Sequence, residues 1–291
     1  MAKRTTAAKT ALGPMVVAAC EQWLPKGQRL CDDELALPFL PGFGRAIAGV
    51  CRWGFLRERL IRSSDRDVPG AWAGIACRKR YIDEKVTEAM AAGVNTLVVL
   101  GAGLDTRACR LAVPKHVHAY EIDQAVNVET KRARMRALWG GPPDGVTLIP
   151  VDFEKDDVEA ALAANGFRLD APTMFVWEAV SQYLTEEGAR KTLAFLAKAA
   201  PGSRLAFTYV RKDFLDGVNL YGGRGLYRRF VANGVWRFGL APEAVGDFLS
   251  EYGWREREQM GAREFAERYV APTGRGLPVF QVEQCVYAEK M

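Results

Sequence analysis

The chain has 291 residues, 49% of them hydrophobic, and a formal net charge of +5; that is enough for one large α/β domain with an ample core, and no stretch approaches the roughly 20 apolar residues of a membrane span. The positive charge is scattered, apart from short knots such as Arg78-Lys79-Arg80 and Arg228-Arg229, and does not point to nucleic acid. Six cysteines without C-x-x-C spacing and only two histidines, His116 and His118, argue against a zinc site and for reduced thiols and a cytoplasmic location.

Residues 1–92 read as a helical cap without strands. Lys3-Arg4 followed by Val17-Ala18-Ala19-Cys20 resembles a lipoprotein cleavage box, but Lys9 and Pro14 interrupt the run that such a leader needs. The pattern predicts a helix from Thr5 to about Trp23, stopped by Pro25-Lys26-Gly27, and a second from Arg45 to Arg62. Ser63 to Arg66 reads as a loop and Pro69-Gly70 as its turn, before a third helix from Ala71 to Ala92.

Residues 93–291 read as a parallel-sheet core. Thr96 to Leu100 is an almost wholly apolar run, expected of a strand covered on both faces, and Gly101-Ala102-Gly103 breaks it before a helix. A dinucleotide fingerprint would have a third glycine where Thr106 stands, and Asp105 occupies the helix start where a pyrophosphate would rest. The expected ligand is therefore a nucleoside without phosphate, and S-adenosylmethionine fits that description. Val117 to Ile122 forms a second strand ending in Asp123, twenty-two residues past Gly101, placed to accept both ribose hydroxyls. A helix from Val126 to Leu138 leads to a third strand, Val146 to Val151, followed by Asp152-Phe153; the carboxylate suits an adenine amine, and Phe153 offers a backbone N–H and a ring face. A helix near Val158 to Asn165 precedes a fourth strand, Thr173 to Trp177, ending in Glu178. Acids at the carboxyl ends of three successive strands should meet in one crevice. Further on come a helix (Glu186 to Ala199), a strand (Arg204 to Val210), a helix (Ala244 to Tyr252), a strand (Trp254 to Glu258) and a closing strand (Phe280 to Ala288). Arg211 to Leu240, rich in aromatic and basic residues, is a candidate lid over an acceptor pocket.

The run LGAGLDTRACRL, followed by YEID, VDF and WEAVSQYL, resembles the leucine carboxyl methyltransferase family and its bacterial relatives, which include methyltransferases of polyketide-type metabolites. The resemblance covers roughly Ala71 to Tyr209. It implies a Rossmann-like class I methyltransferase fold with a mostly parallel sheet of seven strands, S-adenosylmethionine as donor, no metal, and transfer to an oxygen. It also implies that Arg80 holds the methionine carboxylate, that Gly101 and Gly103 form the donor loop, that Asp123 binds the ribose and that Asp152 and Phe153 bind the adenine. Glu178 falls near the donor's amino group, and Tyr183 on the acceptor side. Where the eukaryotic branch has an arginine suited to a peptide's terminal carboxylate, this chain has Glu154, so a protein tail is not the expected acceptor.

Direct displacement at a sulfonium methyl needs an acceptor oxygen held in line and water excluded. A neutral hydroxyl gains from a base such as histidine, yet both histidines fall at the start of the second strand, away from the crevice; a carboxylate or acidic hydroxyl of a small, largely apolar metabolite needs none. The alternatives are an RNA methyltransferase and a protein that binds the donor without turnover.

Overall fold

A computed structural model describes residues 12–291; the expected helical start from Thr5 to Thr10 lies outside the described residues. Five parallel strands, β1 (Thr96–Leu100), β2 (His118–Asp123), β3 (Val146–Pro150), β4 (Met174–Trp177) and β5 (Arg204–Arg211), carry near-continuous apolar runs because both sheet faces are covered. β6 (Gly239–Leu240) pairs with the end of β5, and β7 (Trp254–Met260) with β8 (Glu283–Lys290). The main order is β3-β2-β1-β4-β5-β8-β7, with β8 inserted antiparallel between β5 and β7. This is the expected Rossmann-like, mostly parallel sheet of seven strands, with an eighth, two-residue strand, β6, inside the segment read as a lid.

The strand order reverses between β1 and β4, and β1 pairs in parallel with β2 on one side and β4 on the other. Chains leaving these two strands turn away from each other and open a crevice at their carboxyl ends, the place where such sheets bind ligands. One face is covered by α1 (Leu12–Glu21), α2 (Gly42–Val50), α3 (Gly54–Asp67), α4 (Ala71–Ala91) and α5 (Ala125–Trp139); the other by α6 (Glu186–Leu196) and shorter helices.

Three expectations change. The helix from Arg45 to Arg62 is two helices, broken at Cys51–Trp53 where Gly49 and Gly54 weaken helix propensity on either side. The loop read at Ser63–Arg66 is helical to Asp67, because nothing before Pro69-Gly70 can stop it. The closing strand starts at Glu283, not Phe280: Phe280 packs against the start of α4, its Cβ so near Gly74 that an added methyl would sit 2.5 Å away.

Candidate active site

A cavity of about 760 Å³ opens at the carboxyl ends of β1, β2 and β4. Its floor is the turn after β1. Gly101 N and Ala102 N donate to Ile122 O at 2.7 and 2.9 Å, drawing the turn over β2. Gly101 has φ +76°, and a Cβ there would lie 2.2 Å from Val180 Cγ2, so the turn fits under the β4 loop only as glycine. Gly103 N donates to Asp123 Oδ2 at 2.5 Å.

Asp123, the last residue of β2, is 9% exposed and also accepts from Gln124 N at 2.6 Å and Asn127 Nδ2 at 2.8 Å. Burial pushes its carboxyl above the ordinary value against these bonds, and among the described residues no cation forms an ion pair with it. Its carboxyl group is thus held in place by three donors on the cavity wall. Asp152 lines the cavity more openly, its side chain 35% exposed and 3.2 Å from Lys155, while Phe153 is buried in the apolar cluster beneath β3 and β4.

Glu178 lies at the centre of a buried ionic network. Its carboxylate receives Arg78 Nε at 2.8 Å and Arg107 Nη1 at 2.6 Å; burial alone would raise its pKa, but the two guanidinium groups hold it well below the usual carboxylate range. Arg107, fully buried, also donates to Asp83 Oδ1 at 2.6 Å, to Asp105 Oδ2 and to Lys79 O at 3.2 Å. Arg78 reaches on to Glu283 Oε2 at 2.5 Å, and Glu283 accepts from Thr208 Oγ1 at 3.0 Å. Ala179, next to Glu178, has φ +55°, a conformation that alanine adopts only under surrounding constraint. A group with depressed pKa stabilises the fold above its ordinary value of 4.5, and that contribution is lost as the pH falls. The difference in unfolding free energy between the native protein and Glu178→Gln should therefore shrink as urea titrations are moved below pH 4.5. A constant difference across that range would mean that Glu178 is not the carboxylate held down.

Two parts of the sequence reading need correction. Arg80 is not at the cavity: it pairs with Glu84 at 3.1 Å and lies over the Tyr269 ring, with its side chain 42% exposed. Two residues along a helix turn through about 200°, so when Arg78 faces the cavity Arg80 faces away. Asp105 does line the cavity at the start of a short π-helical turn, Ala108–Ala112, and caps it by accepting from Arg107 N at 2.6 Å. Its charge is offset by Arg107, however, so it repels phosphate less than a free acid would. Arg78, Arg107 and Glu283 escaped the sequence reading; three strand-end acids without assigned cations were the available signal.

The opposite half of the cavity is apolar. Met15 of α1, Ala71 and Ile75 of α4, and Val210, Phe230 and Phe280 line it. Residues 211–240 form its outer wall around a cluster of Phe214, Phe230 and Trp236, with the rings of Phe230 and Trp236 stacked at 4.9 Å. Tyr183 lines the same wall, edge-on to Trp236, and its carbonyl accepts from Arg237 Nη2 at 2.7 Å. Glu154 is engaged by Thr185 N at 2.9 Å and Arg237 Nη2 at 3.1 Å. Both histidines lie at the amino end of β2, with His118 bonded to Thr147 Oγ1 at 3.1 Å.

An open sheet of this order, with a glycine turn after β1 and acids at the ends of β2, β3 and β4, defines a class I S-adenosylmethionine-dependent methyltransferase. The solved structure of a protein from Thermobifida fusca YX, assigned as a methyltransferase, has the same fold, with a TM-score of 0.59 at 15% identity over 96% of this chain and 94% of its own. A protein of Mycobacterium avium (strain 104), assigned as an S-adenosyl-L-methionine-dependent methyltransferase, is 31% identical over 258 residues, 82% of this chain and 79% of that protein. A protein of Parafrankia sp. (strain EAN1pec) with the same assignment is 30% identical over 267 residues, 86% and 77% of the two chains. The profile of the leucine carboxyl methyltransferase family matches residues 11–197, and the chain belongs to that family.

Proposed function

We propose that this enzyme methylates an ionised oxygen, a carboxylate before an acidic hydroxyl, on a small and largely apolar metabolite. S-adenosylmethionine, when bound, supplies an electrophilic methyl carbon on a sulfonium. The observation that carries the reading is the placement of the titratable groups. Both histidines are at the far end of β2, and the cavity carboxylates Glu178, Glu283 and Glu154 are engaged by the arginines Arg78, Arg107 and Arg237. An acceptor already ionised near neutral pH needs no base.

Asp123 accepts the ribose hydroxyls, Asp152 and Phe153 meet the adenine, and the turn of Gly101 and Gly103 lets the backbone approach closely. Glu178 takes the amino group, and Arg78, in the role the resemblance gave to Arg80, takes the carboxylate. On the acceptor side, Tyr183 orients the oxygen, while the apolar wall excludes water and holds the body of the substrate. Gln182 Oε1 and Trp236 Nε1 on this wall are buried without hydrogen-bond partners among the described residues, so a polar group brought there meets unsatisfied protein atoms. Of the arginines in 211–240, Arg229 lines the cavity without a carboxylate partner among the described residues, whereas Arg237 is held by Glu154.

The test is incubation with methyl-labelled donor and a bacterial metabolite extract, followed by mild alkali. Carboxyl methylation gives organic-soluble label that is released as methanol. Alkali-stable label in small molecules would leave hydroxyl methylation, and label recovered only in RNA would overturn the proposal.

A further inference from the structure

We infer that Asp33, contributed by the helical cap, is a positioning residue for the donor-binding turn. Asp33 is fully buried in an irregular stretch between α1 and α2. A buried carboxylate is costly unless strongly bonded, and here three donors converge on it. Thr106 Oγ1 lies 2.8 Å from both carboxylate oxygens, Lys79 Nζ 3.4 Å from Oδ2 and Arg110 Nε 3.5 Å from Oδ1. Two of these three belong to the segment that leaves the glycine turn.

The entry of that turn is fixed by β1 and by the bonds to Ile122 O, and its middle by Gly103 N on Asp123. Its exit is fixed by Thr106 and Arg107, and Asp33 holds Thr106. Arg107 in turn sets Asp105 and Glu178. Docking the cap does not by itself require Asp33. A second buried acid, Glu21, already fastens the cap, accepting from Arg275 Nη1 at 2.7 Å as well as from Leu30 N and Trp72 Nε1 at 2.8 Å within the cap, and none of these three donors belongs to the segment that leaves the glycine turn. The two acids therefore divide the work: Glu21 secures the cap to the body, and Asp33 uses the secured cap to set the turn.

The inference rests on the donor reading, and binding of S-adenosylhomocysteine by the native protein tests that reading separately. Calorimetric titration with S-adenosylhomocysteine should show Kd raised about five- to tenfold in Asp33→Asn and in Thr106→Val, and the double variant should be no weaker than the weaker single one, since both remove one interaction. Glu21→Gln is the control for cap docking and should lower the unfolding midpoint while leaving Kd within about twofold. If Asp33→Asn fails to fold, Thr106→Val, which keeps the buried charge and removes only the hydroxyl, carries the test. The inference is overturned if Thr106→Val binds S-adenosylhomocysteine as the native protein does, or if Glu21→Gln weakens binding as much as Asp33→Asn.

Discussion

Replacing Arg107 by Met is expected to cost about 3–5 kcal/mol of folding stability, a large share of the roughly 5–15 kcal/mol available to a protein. Met keeps most of the buried stem but removes the one cation that bonds Asp83, Asp105 and Glu178 together. Glu178 keeps Arg78 and Asp83 keeps Arg110, but the three carboxylates then share a buried site with fewer positive charges, which favours uptake of a proton. The cost should therefore shrink as the pH is lowered, in the same direction as the Glu178→Gln difference but beginning at higher pH, because the carboxylates left behind are pushed up rather than held down. Urea unfolding followed by circular dichroism at pH 7.5 and pH 5 gives both numbers. An unchanged midpoint at pH 7.5 would show that the network is maintained without its central arginine.

Asp123→Ala should behave in the reverse way, leaving stability within about 1 kcal/mol while weakening donor binding a hundredfold or more. The second figure follows from losing two hydrogen bonds to a charged acceptor at about 1.5–3 kcal/mol each, with about 1.4 kcal/mol corresponding to a factor of ten. The first follows from the energetics of the free protein. Burial raises the Asp123 carboxyl, which means that its charge is carried at a cost in the folded state, and the amides of Gly103 and Gln124 left behind face a cavity that water can enter. Asp123→Asn, which keeps the shape and one acceptor oxygen, should fall between. Calorimetry with S-adenosylhomocysteine beside thermal unfolding decides it; a Kd within a few-fold of native would reduce Asp123 to a turn residue.

These opposed outcomes also explain what could be read from the sequence. The strand ends were legible because a strand covered on both faces must be apolar throughout, so that the first acid after the run marks its carboxyl end; Asp123, Asp152 and Glu178 were found in this way and do line one cavity. The helix face was not legible at Arg78-Lys79-Arg80, since three consecutive bases span more than half a turn and no local pattern says which points inward. Apart from Asp105, the partners of the Arg107 and Asp33 side chains lie between 24 and 77 residues away, Asp83 and Arg110 marking the two limits, and a single sequence carries no mark of such pairings. The segment 211–240 was recognisable as aromatic and basic, but its attachment to β5 through β6 and its own apolar cluster arise from tertiary packing.

The place of β8 bears on how the enzyme is made. Strands one to five can pair as the chain emerges from the ribosome, but the position beside β5 must wait for β8, which follows the other seven described strands, and until then β5 keeps an open edge and β7 lacks the one partner it has among the described residues. The same strand brings Glu283 to Arg78, so the guanidinium made some two hundred residues earlier gains its second carboxylate only at that moment. On the donor reading proposed above, the wall that holds Arg78 is thus completed only with the closure of the sheet, and a chain that stops short of β8 leaves that guanidinium with Glu178 alone.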